Sequence, residues 1–266
     1  INSLDGRLPL ATLNRTVTNN ISGGDPIGDA LRTAVTQYWK LNEVSGARVN
    51  SKVGGVDLSD VNSVLSGVGN ISALSALFDT TGQALYHADV SALQLVDGDF
   101  TIACWVYADS TIRGDPQANT LGYAMSKVGD SGGDEYAVYV NSSWDGMAYL
   151  LFLQFSICGG DQGFPVADIG TDSAFDAWHL VICKYSTVTQ KISIKVDNFA
   201  GTPVDVEPGS IPTTDNFRVG GLGSGAFGVE MFGRIGHAMI FKNFVTTDEQ
   251  DAYLWNSGAG VDLFSQ

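Results

Sequence analysis

The sequence predicts an all-β fold in which two antiparallel sheets pack face to face. A hairpin pattern covers residues 175–199, with apolar side chains at alternate positions. Residues 100–108 form an apolar, aromatic run typical of a buried strand. The 32 glycines suit many tight turns between short strands. With 266 residues and 44% hydrophobic content, the chain is long enough for one large β sandwich with a sizeable core.

The hairpin at 175–199 sets the expected faces of its two strands. One face of the first strand carries Trp178, Leu180, Ile182 and Lys184, and the other carries His179, Val181, Cys183 and Tyr185. The return strand places Ile192, Ile194 and Val196 on one side and Ser193, Lys195 and Asp197 on the other. Because both faces of the first strand are largely apolar, we expect it to lie inside a sandwich of two packed sheets.

Further alternating segments predict the remaining strands. They lie at 37–41, 73–79, 83–87, 100–108, 122–127, 135–141, 148–157, 203–206, 216–220 and 231–242. The stretch 53–70 is rich in Gly, Ser and Asn and indicates a long surface connection with a weak strand. Residues 109–121 and 159–173 indicate long loops, and such loops often carry function.

One short C-terminal helix is expected at 248–256. Thr247 and Gln250 form a capping box before it, and Gly258 follows as its stop. A second short helix at 27–35 would begin near Pro26.

Several of these segments resemble one family. The sequence Trp178-His-Leu-Val, followed after a gap by Ile192-x-Ile-x-Val-Asp-Asn198, resembles the central hairpin of laminin-G-like, concanavalin A-like jelly rolls, with Asn198 where the family has glycine. Residues 38–46, 99–109 and 233–241 are similar to its opening, middle and closing strands. The resemblance covers roughly residues 36–260 and implies a jelly-roll sandwich, while it says little about activity.

Residues 1–34 differ from the rest, and we divide the chain into an extended N-terminal arm at 1–34 and a sandwich domain at 35–266. The arm has no sustained period and is broken by Gly23-Gly24 and Asp25-Pro26. Its apolar side chains are too many for a solvated tail, so we expect it to pack on its own domain or on a neighbouring subunit. The expected arm contacts are Leu4, Leu8, Leu10, Leu13, Val17 and Ile21.

The net charge of −15 excludes some partners. A nucleic-acid or anionic membrane surface needs a basic patch, so we expect neither partner. The acidity favours solubility, with calcium or a cationic partner as the functional alternative. There is no apolar run of membrane-spanning length, and residues 1–35 show no hydrophobic signal-peptide core, although the chain begins at Ile1 and export stays open.

No catalytic set is evident, and we expect a protein without enzymatic activity. The segment 129–133 resembles the nucleophile segment of trypsin-like serine proteases, but no histidine has that family's setting. Asp205 and Glu207 share a strand face as glycosidase carboxylates do, but Pro208 ends the strand and a third acid is absent. A solvated edge strand is the simpler interpretation.

No metal or other cofactor is predicted. Cys104, Cys158 and Cys183 lack metal-ligand spacing; Cys104 and Cys183 fall in strands and are expected as buried free thiols, with a disulfide left open. The family's structural calcium is held partly by an aspartate where this chain has Gly236. Calcium would therefore need a different site, with Asp79, Asp130 and Asp134 as remaining oxygen donors.

Sugar binding requires an exposed aromatic side chain beside polar groups. Trp144 lies in a predicted turn and is the candidate, with Asp130 and Asp134 as accompanying ligand-binding residues. The alternative is that Trp144 covers one end of the sandwich, since tryptophan is usually mostly buried. Trp39, Trp105, Trp178 and Trp255 are interpreted as core residues.

Two functional hypotheses follow. The preferred one is a structural or interaction module on a virion surface, a phage capsid decoration or tail protein, whose arm binds its own copies or a capsid or tail subunit. The alternative is a lectin-like carbohydrate-binding module of an exported bacterial protein, located outside the cell or at its surface, whose partners are surface glycans. Both interpretations rest largely on fold analogy.

Overall fold

The computed structural model describes residues 24–95, 98–110, 120–128, 134–144, 149–157, 166–168, 175–206, 215–221 and 231–265. Within them the chain forms two antiparallel sheets and two short α-helices, which confirms the predicted two-sheet sandwich. The described helices include none that is long and apolar enough to span a bilayer.

The first sheet contains nine strands. Its order is β13-β12-β11-β6-β16-β4-β3, with β1 also paired to β16 and β14 also paired to β12. The strands are β1 Gln37–Trp39, β3 Leu65–Val68, β4 Leu74–Phe78, β6 Phe100–Ala108, β11 Trp178–Ser186, β12 Lys191–Val196, β13 Phe199–Ala200, β14 Val204–Asp205 and β16 Gly233–Lys242.

The second sheet contains seven strands in the order β10-β9-β8-β7-β15-β5-β2. They are β2 Ser59–Val61, β5 Ala84–His87, β7 Thr120–Val128, β8 Asp134–Trp144, β9 Tyr149–Ile157, β10 Val166–Asp168 and β15 Phe217–Val219. The strands β2 and β3 lie in the stretch 53–70, which the sequence indicated as a surface connection with one weak strand, and β10 lies in a predicted loop. Each of these strands is short and contains few apolar side chains, so the alternation of apolar and polar residues that marks a strand is hard to detect there.

The main core lies between the two sheets. Val181, Cys183 and Tyr185 of β11 face it together with the return strand β12, as the hairpin pattern predicted. Trp39 stacks on Phe217 across this core, with ring centroids 5.3 Å apart. Cys104 and Cys183 are buried free thiols within it, whereas Cys158 lies outside the described residues.

The opposite face of the first sheet, which we call the outer face, is covered by helices. Leu180 and Ile182 of β11 are buried there against α1 Pro26–Ala34, α2 Asp248–Trp255 and the C-terminal segment. The expectation that both faces of this strand lie between two sheets was therefore wrong for one face. Alternation shows that a face is apolar but does not show what covers it.

Helix α1 contains the last nine residues of the predicted arm. Asp25 caps its N-terminus by accepting from Gly28 N, and Pro26 occupies the first turn. Leu31 is fully buried on the outer face, so this part of the arm packs on its own domain. The six expected arm contacts, Leu4, Leu8, Leu10, Leu13, Val17 and Ile21, lie outside the described residues.

Helix α2 is attached to the first sheet through a buried carboxylate. Asp251, 1% exposed, lies 2.6 Å from Lys184 Nζ and 3.7 Å from Lys195 Nζ. Its other oxygen accepts from Thr246 Oγ1 at 2.7 Å. The predicted capping box of Thr247 and Gln250 is present at the start of this helix.

We expect Asp251→Ala to destabilise the fold by about 3 kcal/mol, because it leaves the Lys184 and Lys195 ammonium groups partly buried without a carboxylate. Denaturant unfolding followed by circular dichroism measures the change. The matched control is Asp205→Ala, which breaks the exposed Lys191–Asp205 pair and should cost under about 1 kcal/mol. Equal effects of the two substitutions would contradict the anchoring role of Asp251.

Candidate functional site

Five side chains in direct register cross the outer face of the first sheet. Leu65 lies opposite Leu77, Leu77 opposite Arg234, Arg234 opposite Tyr107, and Tyr107 opposite Trp178. Residues opposite each other in a sheet point to the same side. We call this set the outer-face row.

The outer-face row is partly exposed, in contrast to the rest of β6. Every residue of β6 is buried except Tyr107. Trp105, two residues earlier on the same face, is 1% exposed beneath the helix layer. The row therefore lies where the helical cover ends.

An arginine and two aromatic rings form the centre of the row. The Arg234 guanidinium carbon lies 3.6 Å from the Tyr107 ring centroid, which is a cation–π contact. The Tyr107 and Trp178 ring centroids are 5.6 Å apart and inclined by 59°. Arg234 Nη1 also donates to the Val68 carbonyl at 3.2 Å.

Two glycines lie next to these long side chains, and Gly67 leaves space that a Cβ would occupy. A Cβ on Gly67 would lie 2.7 Å from Arg234 Cδ, so the stem of the arginine crosses the bare backbone of β3. A Cβ on Gly236 would lie 3.9 Å from Cη2 and Cζ3 of Trp178. Since β11 and β16 are separated by β6, about 10 Å apart at the usual strand spacing, the indole extends across the sheet surface.

Gly233 fixes the register of β16 against β6. Its φ of +142° is a backbone conformation that other residues rarely adopt, and a Cβ there would lie 2.0 Å from the Tyr107 carbonyl oxygen. The other end of this paired segment is a bulge between Gly236 and Met239, where His237 has φ +47°. Arg234 is thereby held opposite Tyr107.

A chain of hydrogen bonds lies beside the row. Ser72 Oγ is 2.8 Å from His237 Nε2, and His237 Nδ1 is 2.6 Å from Tyr38 Oη. Tyr38 Oη donates to Asp262 Oδ1 at 3.1 Å, and Asp262 pairs with Lys40 at 2.8 Å. This network ties the C-terminal segment and the turn before β4 to the bulge.

Burial lowers the pKa of His237 to about 4, so its imidazole is neutral at neutral pH. Burial also raises the pKa of Tyr38, which stays protonated and able to donate. Ser72 and His237 therefore make a contact seen in hydrolases, but with a histidine that is a weak base. The described network stabilises the surroundings of the row.

Two of the residues chosen from the sequence for ligand binding, Asp134 and Trp144, lie at opposite ends of one strand. Asp134 is the first residue of β8 and Trp144 is the last, so about 30 Å of strand separates them. Trp144 pairs with Tyr149 within the sheet, which corrects its placement in a turn. Asp130 lies outside the described residues, as do Glu207 and the segment 129–133.

The remaining candidates make contacts that stabilise the fold. Asp205 pairs with Lys191 at the sheet edge, as a solvated charge does. His179 Nδ1 lies 2.8 Å from Asp197, which also accepts from Leu180 N and closes the hairpin. Among described residues, no group of three or more His, Cys, Asp or Glu side chains could hold a metal ion, Asp79 included.

Trp178 is the functional candidate that sequence reasoning missed. It was assigned to the core with Trp39, Trp105 and Trp255, but it is only partly buried, as is Trp255. Its alternation with Leu180 and Ile182 predicted the correct face. Which end of that face is exposed depends on how far α1 and α2 extend over it. The sequence of the hairpin does not contain this information.

Solved structures similar to this chain include a sialidase and two toxin binding domains. The chain matches Trypanosoma rangeli sialidase in complex with sialic acid at TM-score 0.60 and 14% identity, over 86% of this chain and 34% of that one. It matches the binding domain of Paraclostridial Mosquitocidal Protein 1 at TM-score 0.61 and 12% identity, over 86% and 53%. The botulinum neurotoxin serotype D binding domain gives TM-score 0.60 and 7% identity, over 87% and 53%.

These similarities show the fold alone, since every identity is low. The chain spans about a third to a half of the structures named here. No family model matches the sequence, and no curated protein matches it either. The chain is thus a jelly-roll-like β-sandwich domain, and the phage or virus link of the sequence resemblance stays a prediction.

We expect the stability of the fold to depend on pH through His237. The folded pKa of about 4 lies below the ordinary value of 6.5, so the unfolded chain binds more protons between these pH values. Lowering the pH from 6.5 to about 4 should therefore reduce the free energy of unfolding, by up to about 3 kcal/mol. Denaturant titrations across this range measure the slope.

His237→Asn should remove this part of the pH dependence, because asparagine tolerates the positive φ but does not titrate. His87→Asn is the matched control for replacing a histidine outside this network, since His87 lies at the end of β5 and bonds the neighbouring Ala88 carbonyl. An unchanged slope in His237→Asn would show that another group causes the effect.

Proposed function

We propose that this chain is a lectin-like carbohydrate-binding module whose outer-face row binds a sugar. The observation that carries the proposal is the partly exposed Arg234–Tyr107–Trp178 set on a rigid sheet. A pyranose ring has one face of C–H groups, which packs on an aromatic ring, and a rim of hydroxyls. Apolar rings beside a few fixed polar groups are what small-ligand sites usually offer.

The rigidity of the row supports this proposal. Of the three strands that carry its centre, β6 pairs in register with β11 on one side and with β16 on the other, and their other face lies in the core. Side chains held by packing lose little conformational entropy when a ligand binds. Leu65, 48% exposed, and the half-buried Leu77 extend the apolar surface at one side.

The structural neighbours are consistent with such a role. One is a sialidase in complex with sialic acid, and others are the binding domains of toxins. At these identities they support a sandwich that can carry binding sites, and nothing about the residues used.

We propose binding without catalysis. On the row itself, the described side chains are two leucines, an arginine and two aromatics, which supply no carboxylate pair for sugar hydrolysis. The neighbouring Ser72 faces a histidine whose low pKa makes it a poor general base at neutral pH. An extracellular or cell-surface location fits a module of this kind.

The virion assembly role stays a hypothesis. It rests on the arm residues before α1, which lie outside the described residues. The part of the arm in α1 packs on its own domain, so that segment supplies no argument for contact with another subunit.

Trp178→Ala should weaken sugar binding, because it removes the larger ring of the row. A glycan array identifies binding sugars, and titration calorimetry on the best of them gives the loss, expected at about two- to tenfold for about 0.5–1.5 kcal/mol of stacking. Circular dichroism and a thermal melt verify that the variant is folded, and Trp178→Phe should retain part of the affinity.

Phe199→Ala is the matched control, since Phe199 is an exposed aromatic, 71% exposed, on β13 at the far edge of the same sheet. Its binding should equal that of the unmodified protein. Sugar binding that survives Trp178→Ala but falls with Trp144→Ala would move the site to the end of β8 and overturn the proposed platform.

A further inference from the structure

Arg234 differs from most other cations of the chain in its surroundings. Lys40, Lys127 and Lys184 each lie within 3 Å of a carboxylate oxygen. Across the part of the chain that the structure describes, no carboxylate lies within ion-pair distance of Arg234. In a chain with net charge −15, a partly exposed arginine without an acidic partner is notable.

The guanidinium is also fixed in orientation. One face lies on the Tyr107 ring, and Nη1 donates to the Val68 carbonyl. The aliphatic stem crosses Gly67, where a side chain would collide with it. A guanidinium has five N–H groups in one plane, and no other described residue accepts from Arg234. Donors therefore remain at the edge of a group that is already held in place.

We propose that the sugar bound by the row carries a carboxylate, which Arg234 binds through paired N–H donors. This inference rests on the proposed function and names the ligand class. The guanidinium covers one face of Tyr107, and Tyr107 lies between Arg234 and Trp178. A sugar ring that packs on Trp178 beside Tyr107 therefore points a ring substituent towards the guanidinium. Planar, bidentate recognition of a carboxylate is the geometry that arginine suits best.

The surrounding charge limits the ligand to an isolated anionic group. Asp79 and Asp109 directly follow the ends of β4 and β6, two residues beyond Leu77 and Tyr107 of the row. Together with the overall negative charge, they repel any anion that approaches the sheet, and they repel a polyanion most strongly. A single carboxylate meets the smallest repulsion, which its direct contact with Arg234 offsets, whereas a densely sulfated chain does not fit.

The alternative to a binding role is a purely structural role for Arg234, because its contacts with Tyr107 and Val68 hold the edge strand β3 to the sheet. The experiment therefore has to separate binding from folding. Arg234→Lys keeps the charge and loses the planar fork, and Arg234→Gln loses both. Arg218→Gln is the matched control, since Arg218 lies over Tyr86 on the second sheet at 6.0 Å.

The test compares paired probes that differ in the carboxylate. Methyl glucuronide is titrated against methyl glucoside, and 3′-sialyllactose against lactose, so that the two sources of a sugar carboxylate are distinguished. Ligand-observed NMR and calorimetry report affinity for the full chain and each variant, with a thermal melt for folding.

We expect at least one acidic probe to bind more tightly than its neutral partner. Arg234→Gln should lose about ten- to a hundredfold of that affinity, the range for hydrogen bonds to a charged group, and Arg234→Lys should lose less. Arg218→Gln should lose none. Affinity for the acidic probe should also fall as salt is raised.

The results that overturn the carboxylate inference differ from those that overturn the proposed function. If neutral and acidic probes bind alike and both depend on Trp178, the carboxylate inference is overturned and the proposed function stands. If an acidic probe is preferred but Arg234→Gln binds it as well as the unmodified protein does, the assignment to Arg234 is overturned. If no sugar binds in a manner that depends on the row, the inference and the proposed function both fall.

Discussion

The strand β6 is buried on both faces up to Tyr107, and this double burial determines the rest of the structure. One face forms the core between the sheets, and the other requires a second apolar cover. Two short helices and the C-terminal segment supply that cover, and they are too short to reach the end of the sheet. The candidate site is the part of this face that the cover leaves partly exposed, so its side chains are large, two of them aromatic, while its backbone is paired within the sheet.

The fold could be predicted largely because its strands are regular. Alternation in the hairpin at 175–199 gave the correct faces, and the capping box of Thr247 and Gln250 gave the start of α2. Both signals are local. Alternation follows from the two-residue period of a strand, and the capping box provides acceptors for the amide groups of the first helical turn that have no partner within the helix. The strands β2 and β3 were predicted only as one weak strand within 53–70, because their residues are mostly small or polar.

The candidate site could not be predicted, because it depends on partners far apart in sequence. Arg234, Tyr107 and Trp178 come from three separate strands, and only the register places them in one row. Trp144 attracted attention because it sat among turn-forming residues, yet it lies in a strand. Sequence shows residue types and local periods, whereas cross-strand neighbours and the extent of a helical cover are properties of the whole fold.

Gly233 also has a consequence for how this surface can change. Because a backbone constraint at Gly233 and a bulge at His237 hold the register of β16 against β6, that register does not depend on the side chains of Arg234 and Tyr107. Their partial exposure means that substitution there disturbs the interior less than at Trp105. Natural divergence or a designed library can therefore vary these side chains while the pairing of β16 with β6 is kept.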